Sequence, residues 1–310
     1  MEKKRVKANN GTFFTIPVIV SGIILLIIFL SAVFAGQIAP YQPEENDYTA
    51  SLAKAFSPGH ILGTDRLGRD LFSRLLCGAQ TSILNAFLIV AFEVVVGVPI
   101  GMLCGYYGGR LDAIVMRIWD IVCAVPSLLL AFVIVAAFGK GTYSGVLAIG
   151  IVYTPLTAKL ARSLIMTEKK AVYIEACRSL GYSDARIMFV HILPNVVTTM
   201  VAQFTLDIGS AITSMATLSY LGIGVQPPGA DWGTLLKDGM SLLYLNSVLL
   251  IAPATAIMVT SIAINIFSDG IQSYIDPGQR KMPTFKQYRK KLIVPTSPVF
   301  AVRTKKEVAS

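Results

Sequence analysis

The sequence predicts an all-α integral membrane protein with six transmembrane helices, and three observations carry that reading. Of its 310 residues, 54% are hydrophobic and only 15% are charged, with a mean hydropathy of +0.64; a soluble domain carries about 25% charged residues. Uncharged stretches recur, each near the ~20 residues a helix needs to cross hydrocarbon. Lysine and arginine fall unevenly between those stretches, as they do when one side of a membrane collects the positive loops.

The spans follow in order. The first runs over residues 13–35 and the second over 81–109, broken only by Glu93. Residues 121–139 and 141–158 form a closely spaced pair. The stretch 192–230, interrupted only by Asp207, holds one span and a Gly/Pro-rich exit, and 239–268 is the last. The basic start followed by an apolar run resembles a secretory signal. Its apolar core is too long for one, and five more spans follow, so an uncleaved anchor is expected. The chain then divides into an N-terminal segment 1–12, a first helix 13–36, an extracytoplasmic segment 37–80, a five-helix core 81–276 containing an inner loop 167–195, and a basic tail 277–310.

Orientation follows from the cations. With the N-terminus inside, the inner segments hold Lys3, Lys4, Arg5, Lys7, Arg110, Arg117, Lys159, Arg162, Lys169, Lys170, Arg178 and Arg186, and the tail adds nine more. Six of the 27 basic residues remain outside: Lys54, Arg66, Arg69, Arg74, Lys140 and Lys237. Both termini are therefore expected in the cytoplasm. The net charge of +9 is a topology signal first. No aromatic–basic platform for nucleic acid accompanies it, while the basic tail suits contact with anionic lipid headgroups.

Two segments on the outer side stand out. Residues 63–82, GTDRLGRDLFSRLLCGAQTS, read as an interfacial helix capped by Thr64 or Asp65, with Arg66, Arg69 and Arg74 reaching lipid phosphates. Residues 222–238 contain Pro227, Pro228 and Gly229, which forbid a regular helix at that point. That segment is either a gate-like loop or a linker anchored at the interface by Trp232.

The inner loop parses as two short helices. Thr167 caps a first helix through Leu180, with Glu168 in its first turn, and Gly181 ends it in the left-handed region. Ser183 and Asp184 start a second helix through about His191, and Pro194 opens the following span. Such a hairpin is either a rigid knob that transmits displacement from a soluble partner or an interfacial pair that closes the bundle.

Here a resemblance becomes specific. Glu175-Ala176-Cys177-x3-Gly181-x11-Leu193-Pro194 resembles the EAA loop of prokaryotic ABC-importer permeases. The ending His191-Ile192-Leu193-Pro194-Asn195 is similar to the version in the dipeptide/oligopeptide/nickel permeases. Gly63-Thr64-Asp65-x2-Gly68-Arg69-Asp70-x2-Ser73-Arg74 resembles the outer-loop signature of that family's C-type subunit. The similarity covers about residues 13–277 and ends in Ile275-Asp276-Pro277. Cys177 departs from the usual Ala but is small and apolar enough to fit, and the tail from Gln279 is longer than the family usually carries.

The resemblance implies a type I ABC-importer permease fold and a plasma-membrane location in a prokaryote. It implies a homologous second permease, two cytoplasmic ATPase domains that use ATP and Mg, and an extracytoplasmic solute-binding protein as partners. The EAA hairpin would dock on an ATPase. Peptides lead as cargo, with nickel, a metal chelate and glutathione-like compounds as alternatives.

No enzyme is expected in this chain. Its two histidines, His60 and His191, fall on opposite sides and share no site, no GxxxxGK[ST] phosphate loop occurs, and the four cysteines stand far apart, so no metal site is expected. Glu93 and Asp207 lie inside predicted spans, where a charge costs at least ~2.5 kcal/mol. They read as neutral carboxyls in interhelical hydrogen bonds, or as pathway-lining groups or a proton relay. The relay would make the chain a proton-coupled secondary transporter, the rival class.

Overall fold

The structure, a computed structural model, describes residues 15–275. The basic N-terminus, the basic tail and the Asp276-Pro277 end of the family-like ending lie outside them. Nine helices are named here: α1 (Ile16–Val33), α2 (Leu71–Tyr107), α3 (Gly109–Ala124), α4 (Ser127–Phe138), α5 (Thr142–Glu168), α6 (Val172–Ser179), α7 (Asp184–Tyr220), α8 (Trp232–Met240) and α9 (Val248–Ile275). Five of them are long and apolar enough to cross a membrane, and α3 with α4 makes a sixth span if the bent pair counts as one.

That pair corrects the third expected span. The apolar run 121–139 is not one straight helix. Pro126 offers no N–H, and the residue before a proline is pushed to extended backbone; Val125 takes φ −83°, ψ 130°. The two helices meet there at 95°. The last span also shifts: residues 239–247 close α8 and turn, and the membrane-length helix begins at Val248.

Local chemistry sets the ends. Asp70 accepts the Ser73 N–H at 2.8 Å and so starts α2 ten residues before the stretch expected to span. Pro17 sits in the first turn of α1, where a missing N–H costs nothing. Inside α7 the turn Ile187–Ile192 is π-helical, just before Pro194. The wider turn absorbs the backbone carbonyl that a proline four residues on leaves unpaired, so the helix continues through. Pro194 sits in the first turn of the α-helical stretch that follows, as the sequence suggested, although the helix as a whole begins at Asp184.

Packing centres on α2 against α5. Gly97, Gly101 and Gly105 recur every four residues along one face of α2, so they form a groove. Into it fit Thr154, Ala158, Ala161 and Ile165 of α5. The contact is close: a Cβ at Gly97 would lie 2.9 Å from the Thr154 carbonyl oxygen. Around this seam lie two apolar cores. One, with Ile89, Ile149, Ile212, Met215, Leu218 and Trp232, fills the end that carries α8. The other, with Met102, Tyr106, Ile165, Ile174, Ile187 and Ile192, fills the end that carries α6.

Candidate functional site

The hairpin of residues 167–195 is built on the second core. Thr167 does not cap it. The α5 stripe that includes Ala161 and Ile165, both fully buried, keeps the helix going to Glu168. Tertiary packing overrides the capping signal there. Ala171, in extended backbone, precedes α6 instead. At the other end the Gly181 N–H reaches the Arg178 carbonyl (2.9 Å) and the Tyr182 N–H the Cys177 carbonyl (3.1 Å). These are the paired bonds of a Schellman turn. Gly181 takes φ +77° at its centre. Ser183 then accepts the Arg186 N–H at 3.4 Å and starts α7.

The hairpin has two faces. Ile174 and Cys177 point into the core, 0% and 8% exposed, so the thiol occupies an inward apolar position. Val172, Glu175, Ala176, Leu180 and Gly181 lie on the open side, with Val172 81% and Leu180 70% exposed. Phe189 and Pro194 are exposed beyond them. Leu193 and His191 are half-buried, and the His191 ring stacks on Tyr182 (centroids 5.5 Å apart). Asn195 donates to Glu168 (3.1 Å) and to the Tyr173 hydroxyl (2.9 Å), which itself donates to Glu168. Burial, then the neighbouring Glu168, raises the Tyr173 phenol above its ordinary range.

Sequence reasoning missed the tie between this hairpin and α2. The Tyr106 hydroxyl donates to Asp184 at 2.6 Å, Lys169 donates to the Tyr106 carbonyl, and the cations of Lys169 and Arg178 lie 5.4 and 5.8 Å from the Tyr106 ring. Both chain entries to the hairpin thus grip the end of α2. A tyrosine closing an apolar run was the only hint in the sequence.

At the opposite end the GTDRLGRD segment is not an interfacial helix. It is a compact loop in which Gly63 and Gly68 take positive φ and Thr64, Asp65 and Asp70 are buried, as are Ser73 and Arg74 in the first turn of α2. Arg69 and Arg74 turn inward rather than to lipid, while Arg66 is exposed and donates to the Ser241 carbonyl at 3.3 Å. Asp65 binds Arg74 at 2.5 Å and Arg69 at 2.7 Å, and it also accepts the backbone N–H groups of Leu67 and Arg69. Thr64 accepts from the Ala53 N–H, and its hydroxyl donates to the Ala50 carbonyl. Asp70 caps α2 and meets His60 at 3.0 Å. Asp238 of α8 lies 3.5 Å from Arg74, so the loop is pinned to α8.

Trp232 is likewise no interfacial anchor. It is 2% exposed, with its indole N–H on the Leu75 carbonyl (3.2 Å) and its backbone N–H on Ser82 (3.1 Å). Asp231, wholly buried, caps α8 through the Thr234 N–H at 2.8 Å, and burial holds its carboxyl above the usual range. The segment after the Pro227-Pro228 pair is therefore a packed helix on α2, α7 and α9.

Between the two ends, near the middle of α2 and α7, Glu93 and Asp207 line one cavity of 420 Å³. Glu93 is 1% exposed and accepts from Thr157 of α5 at 3.1 Å. Asp207 accepts from Gln203 of its own helix at 2.9 Å. His60 and His191 lie at opposite ends of the molecule, in the loop before α2 and in the hairpin.

Comparisons with known proteins bear on the family and the fold. A family profile described as "binding-protein-dependent transport system inner membrane component" matches residues 97–281, and one described as "N-terminal TM domain of oligopeptide transport permease C" matches residues 17–55. The chain is 38% identical over 259 residues to the probable D,D-dipeptide transport system permease protein DdpC of Escherichia coli (strain K12), covering 84% of this chain and 87% of that protein. It is 38% identical over 259 residues to the glutathione transport system permease protein GsiD of Pectobacterium atrosepticum (84% and 86% covered). It is 35% identical over 276 residues to the dipeptide transport system permease protein DppC of Haemophilus influenzae (87% and 92% covered). Among solved structures, a chain of the inward-facing MetNI methionine ABC transporter superposes with a TM-score of 0.55 at 18% identity, over 66% of this chain and 98% of that one. That likeness speaks to the fold alone.

Proposed function

The chain belongs to the family of binding-protein-dependent transport system inner membrane components, and on that premise we propose that it forms half of the pathway through which an ATP-driven importer moves di- or oligopeptides. The observation that carries the reading is the two-faced hairpin. Its buried side is fixed to α2 and α7, while its open side presents Val172, Ala176 and Leu180 at four-residue spacing. An exposed apolar stripe of that kind fits a groove on a partner.

In this reading the α6 end faces the cytoplasm and meets an ATPase chain, where ATP and Mg are used. Closure of the ATPases displaces α6. The Tyr106–Asp184 bond and the packing of Ile174 and Cys177 carry that displacement into α2 and α7. The α8 end faces outward, where a solute-binding protein delivers cargo, and a homologous second permease completes the pathway. Membership of this family replaces the proton-coupled alternative. Peptides are preferred to nickel because the relatives named above carry dipeptide or glutathione in their names.

Reconstitution tests the reading. The permease pair, the ATPases and the binding protein in proteoliposomes should accumulate labelled dialanine only with ATP inside the partner compartment, and should not accumulate nickel chloride. ATP-dependent nickel uptake without dialanine uptake would overturn the cargo.

Gly181→Val tests the hairpin. Nothing surrounds the position where a Cβ would sit, so the cost is purely conformational, about 1–2 kcal/mol for a branched residue at φ +77°. Uptake should fall at least tenfold while the binding protein captures solute normally. Asn tolerates the left-handed region, so Gly181→Asn should stay within about threefold of wild type. Normal uptake in the Val variant would remove the turn from the coupling path.

A further inference from the structure

We propose that the mid-span cavity between α2, α5 and α7 is a subsite for the ammonium group of the transported solute. This rests on the peptide-importer reading. The cavity is lined by the carboxyls of Glu93 and Asp207, the hydroxyls of Tyr153, Thr157 and Ser210, and the amide of Gln203. Among the described residues, no lysine or arginine lines it.

Two observations mark it as a site rather than a packing fault. Glu93 is 1% exposed, with one carboxylate oxygen held by Thr157 and a hydrogen bond shared with the Asp207 carboxyl, so the two acids act as one pair. Among the described residues lining the cavity no cation meets that pair, and a cationic donor for its remaining acceptor capacity has to arrive from outside the chain. Secondly, the cavity is open: Ser210 and Leu156 at its rim are exposed, Leu156 by 62%. Carboxyls and an amide at the middle of membrane-spanning helices do not face lipid. The opening therefore faces water or protein, which is where a translocation pathway between two permeases would run.

The chemistry narrows the ligand. The facing groups are oxygen acceptors and hydroxyls, with no imidazole or thiolate, so a nickel-type ion is poorly served. An ammonium carries a positive charge and three donors, and it finds acceptors for each here. A volume of 420 Å³ lies in the range of small-molecule sites. Leu156 and Leu160 supply apolar wall for an aliphatic side chain.

The test uses the complete importer with its binding protein in proteoliposomes, read by labelled dialanine uptake and by ATP hydrolysis in parallel. Asp207→Asn is expected to lower uptake at least tenfold while ATP hydrolysis stimulated by loaded binding protein stays within about twofold. Asp207→Glu, which keeps the carboxyl, should retain a third or more of wild-type uptake. The double variant Glu93→Gln/Asp207→Asn should abolish uptake. Uptake unchanged in the double variant overturns the site. So does equal loss of uptake and ATP hydrolysis in both Asp207 variants, which marks a structural role, and so does net proton movement with each dialanine in the wild type, which marks a relay. A wild-type importer that takes up no dialanine refutes the peptide reading itself, and is told apart by needing no variant.

Discussion

Gly101→Val should leave little folded permease in the membrane. Gly101 is the middle of three glycines on α2 that admit α5, and a Cβ there meets both the Ala158 carbonyl oxygen and, at 2.7 Å, the Ala161 Cβ. Ala158 and Ala161 are fully buried, so the obstacle is backbone and a methyl held in place, not the end of a flexible side chain. Two helices cannot slide apart here without opening both apolar cores, because the seam joins them. Overpacking a tight interior costs about 1–3 kcal/mol and occasionally more; with a branched side chain at the narrowest point, ~3 kcal/mol or above is expected. Membrane yield and the thermal unfolding midpoint of protein in lipid nanodiscs measure it. Gly108→Val, which meets nothing within 4 Å but sits at φ +66°, supplies a comparison in which backbone strain acts without a clash. A smaller loss in Gly101→Val than in Gly108→Val would show that the seam yields.

The second large effect belongs to Asp65. Its carboxylate holds Arg74, 3% exposed, and Arg69, 13% exposed, and also closes the turn through two backbone N–H groups. Removing one partner of a buried ion pair leaves the other charge uncompensated, a cost of about 3–5 kcal/mol. Asp238 does not rescue it, since it stands 3.5 Å from Arg74 and is 46% exposed to water. Asp65→Ala should therefore destabilise the loop and its attachment to α8. The signature is the double variant: Asp65→Ala with Arg74→Met should recover part of the loss, because an apolar residue in that pocket needs no counter-charge. If the second substitution deepens the loss by its full separate amount, the two side chains are not coupled and the ion-pair account fails.

Both positions lay inside segments the sequence singled out, yet for other reasons. The GTDRLGRD segment drew attention as a family signature, and its arginines were expected at lipid phosphates. Helical spacing alone cannot distinguish an arginine aimed at lipid from one aimed at an aspartate nine positions earlier in the chain. Asp65 stands outside α2, and only the turn through Gly68 brings it back over that helix. Trp232 failed similarly. An indole near a predicted membrane boundary suits the interface, but here residues 75 and 82 of α2 supply both acceptors. The bend at Pro126 was written in the sequence, though hydropathy alone ran the apolar stretch across it.

What the sequence determined by itself was the class of molecule, the long apolar helices other than the bent pair, and the left-handed turn at Gly181. Low charge, apolar length and a glycine between two capped segments are local properties, and solvent and backbone sterics act on them without reference to distant residues. The tertiary structure decided where the hairpin is held, which glycines form the α2–α5 seam, and that Glu93 and Asp207 share one cavity. Those facts depend on residues 57 (Gly97 and Thr154) to 114 (Glu93 and Asp207) positions apart meeting in space. The physical reason is that in a lipid-embedded bundle most faces look equally apolar in sequence, and only close packing between particular small residues selects which faces touch.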